Sequence, residues 1–150
     1  WPDVDLVLAP IGGGGLASGV AASIKRLLPA ARVIGVEPVG AASMRKALDE
    51  ERPVVIKKID TIADGLAPVI AGELTYEHAF SLMDDVVTVS DDAIREATSL
   101  LVSQQKLIVE FSGAAATAAL LSKAVEAEDQ RVAVVISGGN LDPTLLAGMA

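Results

Sequence analysis

Cysteine is absent from the 150-residue sequence, and aromatic side chains make up only 3% of it. Without cysteine, the chain has neither a disulfide framework nor a thiolate metal site, and this absence fits a cytoplasmic location. Because aromatics are few, the hydrophobic half of the sequence (51%) consists mainly of Ala, Val, Leu and Ile. The composition therefore predicts one domain with a sizeable aliphatic core.

Basic residues are also scarce: 12 Lys and Arg stand against 20 Asp and Glu, for a formal net charge of −8. Nucleic acids and anionic membrane surfaces attract proteins with basic faces. In addition, no apolar run reaches the roughly 18 residues of a membrane-spanning helix. We therefore expect no nucleic-acid partner and no membrane partner.

Four short apolar runs, rich in β-branched residues, predict the strands of a sheet. They comprise residues 5–11, 32–37, 85–90 and 131–137. The first, second and fourth runs are almost continuously apolar, as is typical of parallel strands that are buried on both faces.

Helical patterns alternate with these strands. The first has an apolar stripe made of Leu16, Val20, Ile24 and Leu27. A second stripe covers residues 94–102, with Ser90 as its predicted N-cap, and a third, alanine-rich helix begins at Ser112. Proline and glycine in residues 52–73 predict a loop with short elements.

This alternation predicts an α/β fold: a three-layer open sheet, mainly parallel, with helices on both faces. We expect residues 1–150 to form a single domain. The sequence begins WPDVD, without Met and directly ahead of a strand, so we also expect it to be the C-terminal portion of a longer chain. Right-handed crossovers would bring the carboxyl ends of the strands to one edge of the sheet, where ligands usually bind.

Four consecutive glycines, Gly12, Gly13, Gly14 and Gly15, lie between the first strand and the first helix. Glycine lets a ligand approach the backbone closely, and the first N–H groups of a helix are unpaired and partially positive. Together these features predict an anion site, most naturally for a phosphate. The dinucleotide fingerprint G-x-G-x-x-G is met only in part, and no P-loop motif occurs. A flexible turn that binds nothing is the alternative.

Ser137 opens a second glycine turn, SGGN, after the last strand. Taken alone, a tight turn with Asn140 in left-handed geometry is the simpler interpretation. Together with the four glycines, however, the turn predicts a phosphorylated aromatic cofactor. Its phosphate would lie at the first turn, and a polar atom of its ring would meet the serine hydroxyl.

The sequence resembles the threonine dehydratases (threonine ammonia-lyases) and the related serine racemases in five segments: GGGGLASGVA, VIGVEP, TIADGLA, KLIVEFSGAA and VAVVISGGNLD. These are pyridoxal-phosphate enzymes of the tryptophan-synthase-β fold type, and the resemblance covers residues 2–142. It implies part of the large domain of that fold, with pyridoxal 5′-phosphate as cofactor. It further implies that L-threonine or L-serine is deaminated to a 2-oxo acid and ammonia.

The resemblance also implies which residues bind the cofactor. The four glycines and the leucine after them would hold its phosphate, and the serine of the SGGN turn would meet the pyridine nitrogen. The ADG segment and the glutamate of VEFSGAA would lie beside the ring. The implied residues are Gly12, Gly13, Gly14, Gly15, Leu16, Gly65, Glu110 and Ser137.

The Schiff-base lysine of the family is the main departure from this pattern. In the family it lies in an S-F-K-x-R-G-A motif, followed by a substrate-binding S-x-G-N-H motif, and neither motif occurs here. The six lysines present fit solvated helix and loop positions, so we assign no catalytic residue. We expect the lysine and the small domain to lie upstream of this sequence, and the chain alone to be inactive. It would self-associate or associate with that N-terminal portion.

Two other positions differ from the family. Phe111 stands where proline is common, which bears on the orientation of Glu110. In VEPVGAASM, Glu37 and the Ala41 carbonyl match the divalent-cation ligands of serine racemases, but Ser43 replaces an aspartate. Because hard cations need several oxygen ligands, we predict no metal site.

Several functions remain open at this point. A threonine or serine ammonia-lyase is the main interpretation, and a serine racemase-type isomerase is the near alternative because both use the same cofactor. A non-catalytic module that binds a phosphate ligand is a third, which the missing lysine favours. A nucleotide-binding domain is a fourth, with only a partial fingerprint.

Overall fold

The computed structural model describes residues 2–142 and residue 144; positions 1, 143 and 145–150 of the predicted 1–150 domain lie outside it. Among the described residues, four strands form one sheet in the order β3-β2-β1-β4, and each neighbouring pair is parallel. The strands are β1 (Leu6–Pro10), β2 (Arg32–Pro38), β3 (Asp85–Val89) and β4 (Val132–Val134). All four predicted strands are therefore confirmed, in a parallel sheet.

The fourth strand is shorter than predicted. Its ladder with β1 runs only from the Leu6–Val132 pair to the Leu8–Val134 pair, and one further hydrogen bond joins Val135 N to Leu8 O at 2.9 Å. Beyond it the chain leaves the edge of the sheet. This bend brings Ser137 against the helix that begins at residue 111, as described below.

Within residues 2–142, five α-helices connect the strands: α1 (Gly15–Leu27), α2 (Ser43–Asp49), α3 (Glu73–Leu82), α4 (Asp91–Ser103) and α5 (Phe111–Leu121). The predicted cap of α4 is confirmed, since the Ser90 hydroxyl accepts a hydrogen bond from Ala93 N at 3.2 Å. The region between α2 and α3 is a loop with one short 3₁₀ turn, Asp64–Leu66, as its glycines and prolines predict.

Successive side chains of β1 point to opposite faces of the sheet, so the strand contributes to the core on both faces. Leu6 and Leu8 pack with α4 and α5 on one face, while Ala9 packs with α1 and α2 on the other. Helices thus cover both faces, as predicted. No helix in the described part of the chain combines the length and hydrophobicity needed to cross a bilayer.

Candidate functional site

A cavity of about 210 Å³ lies at the carboxyl edge of the sheet. It is enclosed by the loop after β1, the 3₁₀ turn, the start of α5 and the turn after β4. The lining residues are Pro10, Gly12, Gly13, Gly14, Gly15, Leu16, Gly65, Leu66, Glu110, Ser112 and Ser137. All eight residues that the sequence predicts for the site are among them. The two glycine-rich turns therefore face one cavity, and their contacts with a cofactor remain a prediction.

The glycine loop (residues 12–15) presents backbone amides that the protein itself does not use. In the described part of the chain, the N–H groups of these four residues have no hydrogen-bond acceptor. The N-terminus of α1, which follows Gly14, has no side-chain cap and no acidic residue in its first turn. By contrast, α4 has the Ser90 cap and two aspartates there. The start of α1 is therefore electropositive and open to an anion.

Two of the four glycines are required by packing, and two are not. Gly14 has φ of +90°, and an added Cβ would lie 2.7 Å from Thr75 Cβ. At Gly12, a Cβ would lie 2.7 Å from the Gly65 carbonyl oxygen. At Gly13 and Gly15, a Cβ would meet no atom of the described residues within 4 Å. Both of these glycines line the cavity, so glycine there keeps the loop free of side chains where a phosphate could approach its amides.

The serine turn (residues 137–140) is held by Glu110. Gly138 has φ of +75°, and an added Cβ there would lie 2.1 Å from Glu110 Oε1. The other carboxylate oxygen, Oε2, accepts a hydrogen bond from Asn140 N at 3.2 Å. The left-handed residue of this turn is therefore Gly138, and the alternative that assigned this geometry to Asn140 is wrong.

Ser112 is a lining residue that the sequence analysis did not assign to the site. Its hydroxyl oxygen accepts a hydrogen bond from Gly65 N at 2.9 Å, so it ties the 3₁₀ turn to α5. The sequence signal for this role is the place of Ser112 in the first turn of α5, because a helix that starts at the carboxyl edge of a parallel sheet directs its first turn towards the ligand site. This signal can be recognised only once the position of α5 is known.

Glu37 does not line this cavity, and its side chain makes hydrogen bonds in the interior of the protein. Its carboxylate is fully buried and accepts hydrogen bonds from Met44 N at 2.8 Å and Arg45 N at 2.7 Å. Burial raises the pKa of Glu37 to about 7, against the lowering effect of these two donors. Both of its oxygens thus cap the start of α2.

No lysine lines the edge cavity in the described part of the chain. Lys25 forms an ion pair with Asp84 at 2.7 Å, and Lys58 forms one with Asp60 at 2.6 Å. These contacts agree with the sequence-based assignment of surface positions to the lysines.

The protein has an open parallel α/β sheet, and an uncapped helix start and a serine turn face one cavity at its carboxyl edge. This arrangement is typical of folds that bind a phosphorylated ligand at that edge. Residues 1–138 match the family described as pyridoxal-phosphate dependent enzyme, and the chain belongs to that family. The residues present fit the cofactor, because the free amides and the space at Gly13 and Gly15 suit a phosphate.

Individual relatives agree with this assignment. The chain is 39% identical over 145 residues to the L-threonine ammonia-lyase of Thermotoga maritima, covering 97% of this chain and 36% of the relative. The processed threonine deaminase isoform 2 of Solanum lycopersicum has a TM-score of 0.90 at 35% identity, with 100% of this chain and 44% of that chain covered. Maize serine racemase has a TM-score of 0.90 at 37% identity, with coverage of 98% and 48%. The chain therefore spans less than half the length of these relatives.

Proposed function

We propose that this chain forms the cofactor-holding part of a pyridoxal-phosphate enzyme that deaminates L-threonine or L-serine to a 2-oxo acid and ammonia. The observation that carries the proposal is the single cavity shared by the glycine loop and the serine turn. When bound, pyridoxal phosphate would withdraw electrons from the α-carbon of the amino acid, which promotes loss of the α-proton and of the β-hydroxyl.

The glycine loop would bind the dianionic phosphate. Its four unpaired N–H groups, together with the amide of Leu16 in the first turn of α1, are the donors. Hydrogen bonds to a charged acceptor are stronger than those between neutral groups, and the helix dipole adds to the attraction.

Ser137 would face the nitrogen of the pyridine ring from the opposite side of the cavity. A neutral hydroxyl leaves that nitrogen largely unprotonated, whereas a carboxylate would keep it charged and strengthen electron withdrawal. The weaker withdrawal suits elimination of a β-hydroxyl, which needs no long-lived carbanion. Glu110 and Gly65 would line the ring, and Glu110 would also hold the serine turn.

The Schiff-base lysine would come from a part of the protein outside this sequence. The support is that no lysine lines the cavity in the part that the structure describes. A serine racemase-type isomerase is the second candidate, favoured by the similarity to the maize enzyme. Incubation of the whole protein with L-serine distinguishes the two, because a lyase releases pyruvate and ammonia whereas a racemase forms D-serine. Absence of both products would favour a non-catalytic module.

The glycine loop provides a direct test of cofactor binding. We expect Gly13→Ala and Gly15→Ala to weaken binding of pyridoxal phosphate by about tenfold or more, since each methyl group would keep the phosphate from a charge-assisted hydrogen bond. Both variants should fold normally, because an added Cβ at either position meets no atom within 4 Å in the part of the chain that the structure describes. Calorimetric titration measures the affinity for pyridoxal phosphate, and urea unfolding measures the stability of each variant.

Gly19→Ala is the matched control. Gly19 is exposed in the middle of α1, and a Cβ there also meets nothing within 4 Å. Alanine should stabilise the helix by up to about 1 kcal/mol and leave the affinity unchanged. Unaltered affinity in Gly13→Ala and Gly15→Ala would contradict the assigned phosphate site.

We also propose that the protein is cytoplasmic and self-associates. Leu16 and Leu27 on α1 are 49% and 73% exposed, and exposed apolar surface favours association. We expect sedimentation velocity to show species larger than the monomer at high protein concentration, whereas a single monomeric species throughout would contradict the proposal.

A further inference from the structure

Thr75, in the first turn of α3, contacts the glycine loop from outside the edge cavity. Its hydroxyl lies 2.8 Å from the Gly13 carbonyl oxygen and 3.0 Å from the Gly72 carbonyl oxygen, and its single proton is shared between these two acceptors, with the shorter contact to Gly13. The contact with Gly13 joins residues 62 positions apart in the sequence. It links a helix on the face of the sheet to the loop that carries the unpaired amides.

This contact sets the direction of one amide in the loop. The Gly13 carbonyl and the Gly14 N–H belong to the same peptide unit, which is planar and trans, so the two groups point in opposite directions. Because Thr75 holds the carbonyl towards α3, the Gly14 N–H points away from α3. That N–H has no acceptor among the described residues, and Gly14 lines the edge cavity.

Thr75 is itself fixed in place. The Ser18 hydroxyl on α1 donates to the Thr75 carbonyl at 3.4 Å. A Cβ at Gly14 would lie 2.7 Å from Thr75 Cβ and 2.9 Å from its hydroxyl oxygen. The loop and Thr75 therefore pack without spare space, and the peptide has little freedom to rotate while the hydroxyl is present.

We propose that Thr75 is a positioning residue for the phosphate of the ligand. Its hydroxyl orients the Gly13–Gly14 peptide so that the Gly14 N–H can donate to an anion in the cavity. This inference rests on the proposed function, because it assigns the phosphate of pyridoxal phosphate to the glycine loop. It adds a residue that does not line the cavity and acts only through the loop.

The test uses Thr75→Val, which keeps the shape of the side chain and removes the hydroxyl, and Thr75→Ser, which keeps the hydroxyl. The probes are pyridoxal phosphate and inorganic phosphate, both titrated by calorimetry. We expect Thr75→Val to weaken both by about tenfold, the effect of one lost hydrogen bond to a charged group. Thr75→Ser should restore both affinities to within about threefold of the unsubstituted protein, a difference below one hydrogen bond.

Thr98→Val is the matched control, because the Thr98 hydroxyl also donates to a backbone carbonyl, that of Ile94 at 2.8 Å, but in α4. This variant should bind both probes normally. If Thr75→Val binds like the unsubstituted protein, or if Thr75→Ser binds as weakly as Thr75→Val, the role of Thr75 is overturned while the proposed function stands. If the unsubstituted protein binds neither probe, both proposals fail.

Discussion

Replacing Gly113 with alanine is expected to destabilise the protein by about 3 kcal/mol, the upper range for overpacking a buried site, and to weaken binding of pyridoxal phosphate by more than about tenfold. An added Cβ at Gly113 would lie 1.6 Å from the Ser137 carbonyl oxygen and 2.7 Å from its carbonyl carbon. Because the clash is with backbone atoms, rotation of a flexible side chain cannot relieve it. The serine turn must therefore shift away from α5, and the Ser137 hydroxyl shifts with it.

Gly40→Ala is the control that distinguishes weaker cofactor binding from lower stability. A Cβ at Gly40 would lie 1.7 Å from the Asp60 carbonyl oxygen, so the backbone clash is as severe, but neither residue lines the edge cavity. Urea unfolding should show a similar destabilisation in both variants, while the folded fraction of Gly40→Ala should retain its affinity. Normal affinity in Gly113→Ala would show that the contact between α5 and Ser137 does not position the hydroxyl.

The sheet and the main turns of the site could be predicted because their signals are local. Continuous apolar runs identify the strands, and unusual glycine clusters at residues 12–15 and 138–139 mark the turns that follow two of them. Since the carboxyl ends of parallel strands share one edge, the two clusters could be placed together without coordinates. The remaining predicted lining residues, Leu16, Gly65 and Glu110, came from the family resemblance, and all three line the same cavity.

The contacts between distant segments could not be predicted. Helix α2 has only seven residues, too few for a clear hydrophobic period, and its cap is Glu37, which lies in the preceding strand. Thr75 reaches Gly13 across 62 positions, and Gly113 faces Ser137. A glycine inside an alanine-rich helix gives no local sign that a carbonyl packs on it, because the cause lies in another segment.

The buried carboxylate of Glu37 gives the second large effect, which is on the pH dependence of stability. Burial raises its pKa from 4.5 to about 7 in the folded protein. Between these values the folded state keeps a proton that the unfolded state releases, so the free energy of unfolding falls as the pH rises. The contribution is fully present below pH 4.5 and is lost once the pH passes about 7. A shift of this size corresponds to about 3 kcal/mol.

Urea unfolding between about pH 4.5 and pH 8 measures this dependence, and Glu37→Gln should abolish most of it because the amide does not titrate. Asp60→Asn is the control. The Lys58 side chain lowers the pKa of Asp60, so the stabilising effect of the Asp60 carboxylate is lost only in more acidic solution. The decrease in the free energy of unfolding with pH should therefore persist in this variant. We assign this pH dependence to Glu37 because it is the only Asp or Glu among the described residues that is fully buried. Equal slopes in Glu37→Gln and the unsubstituted protein would show that the carboxylate stays ionised inside the fold.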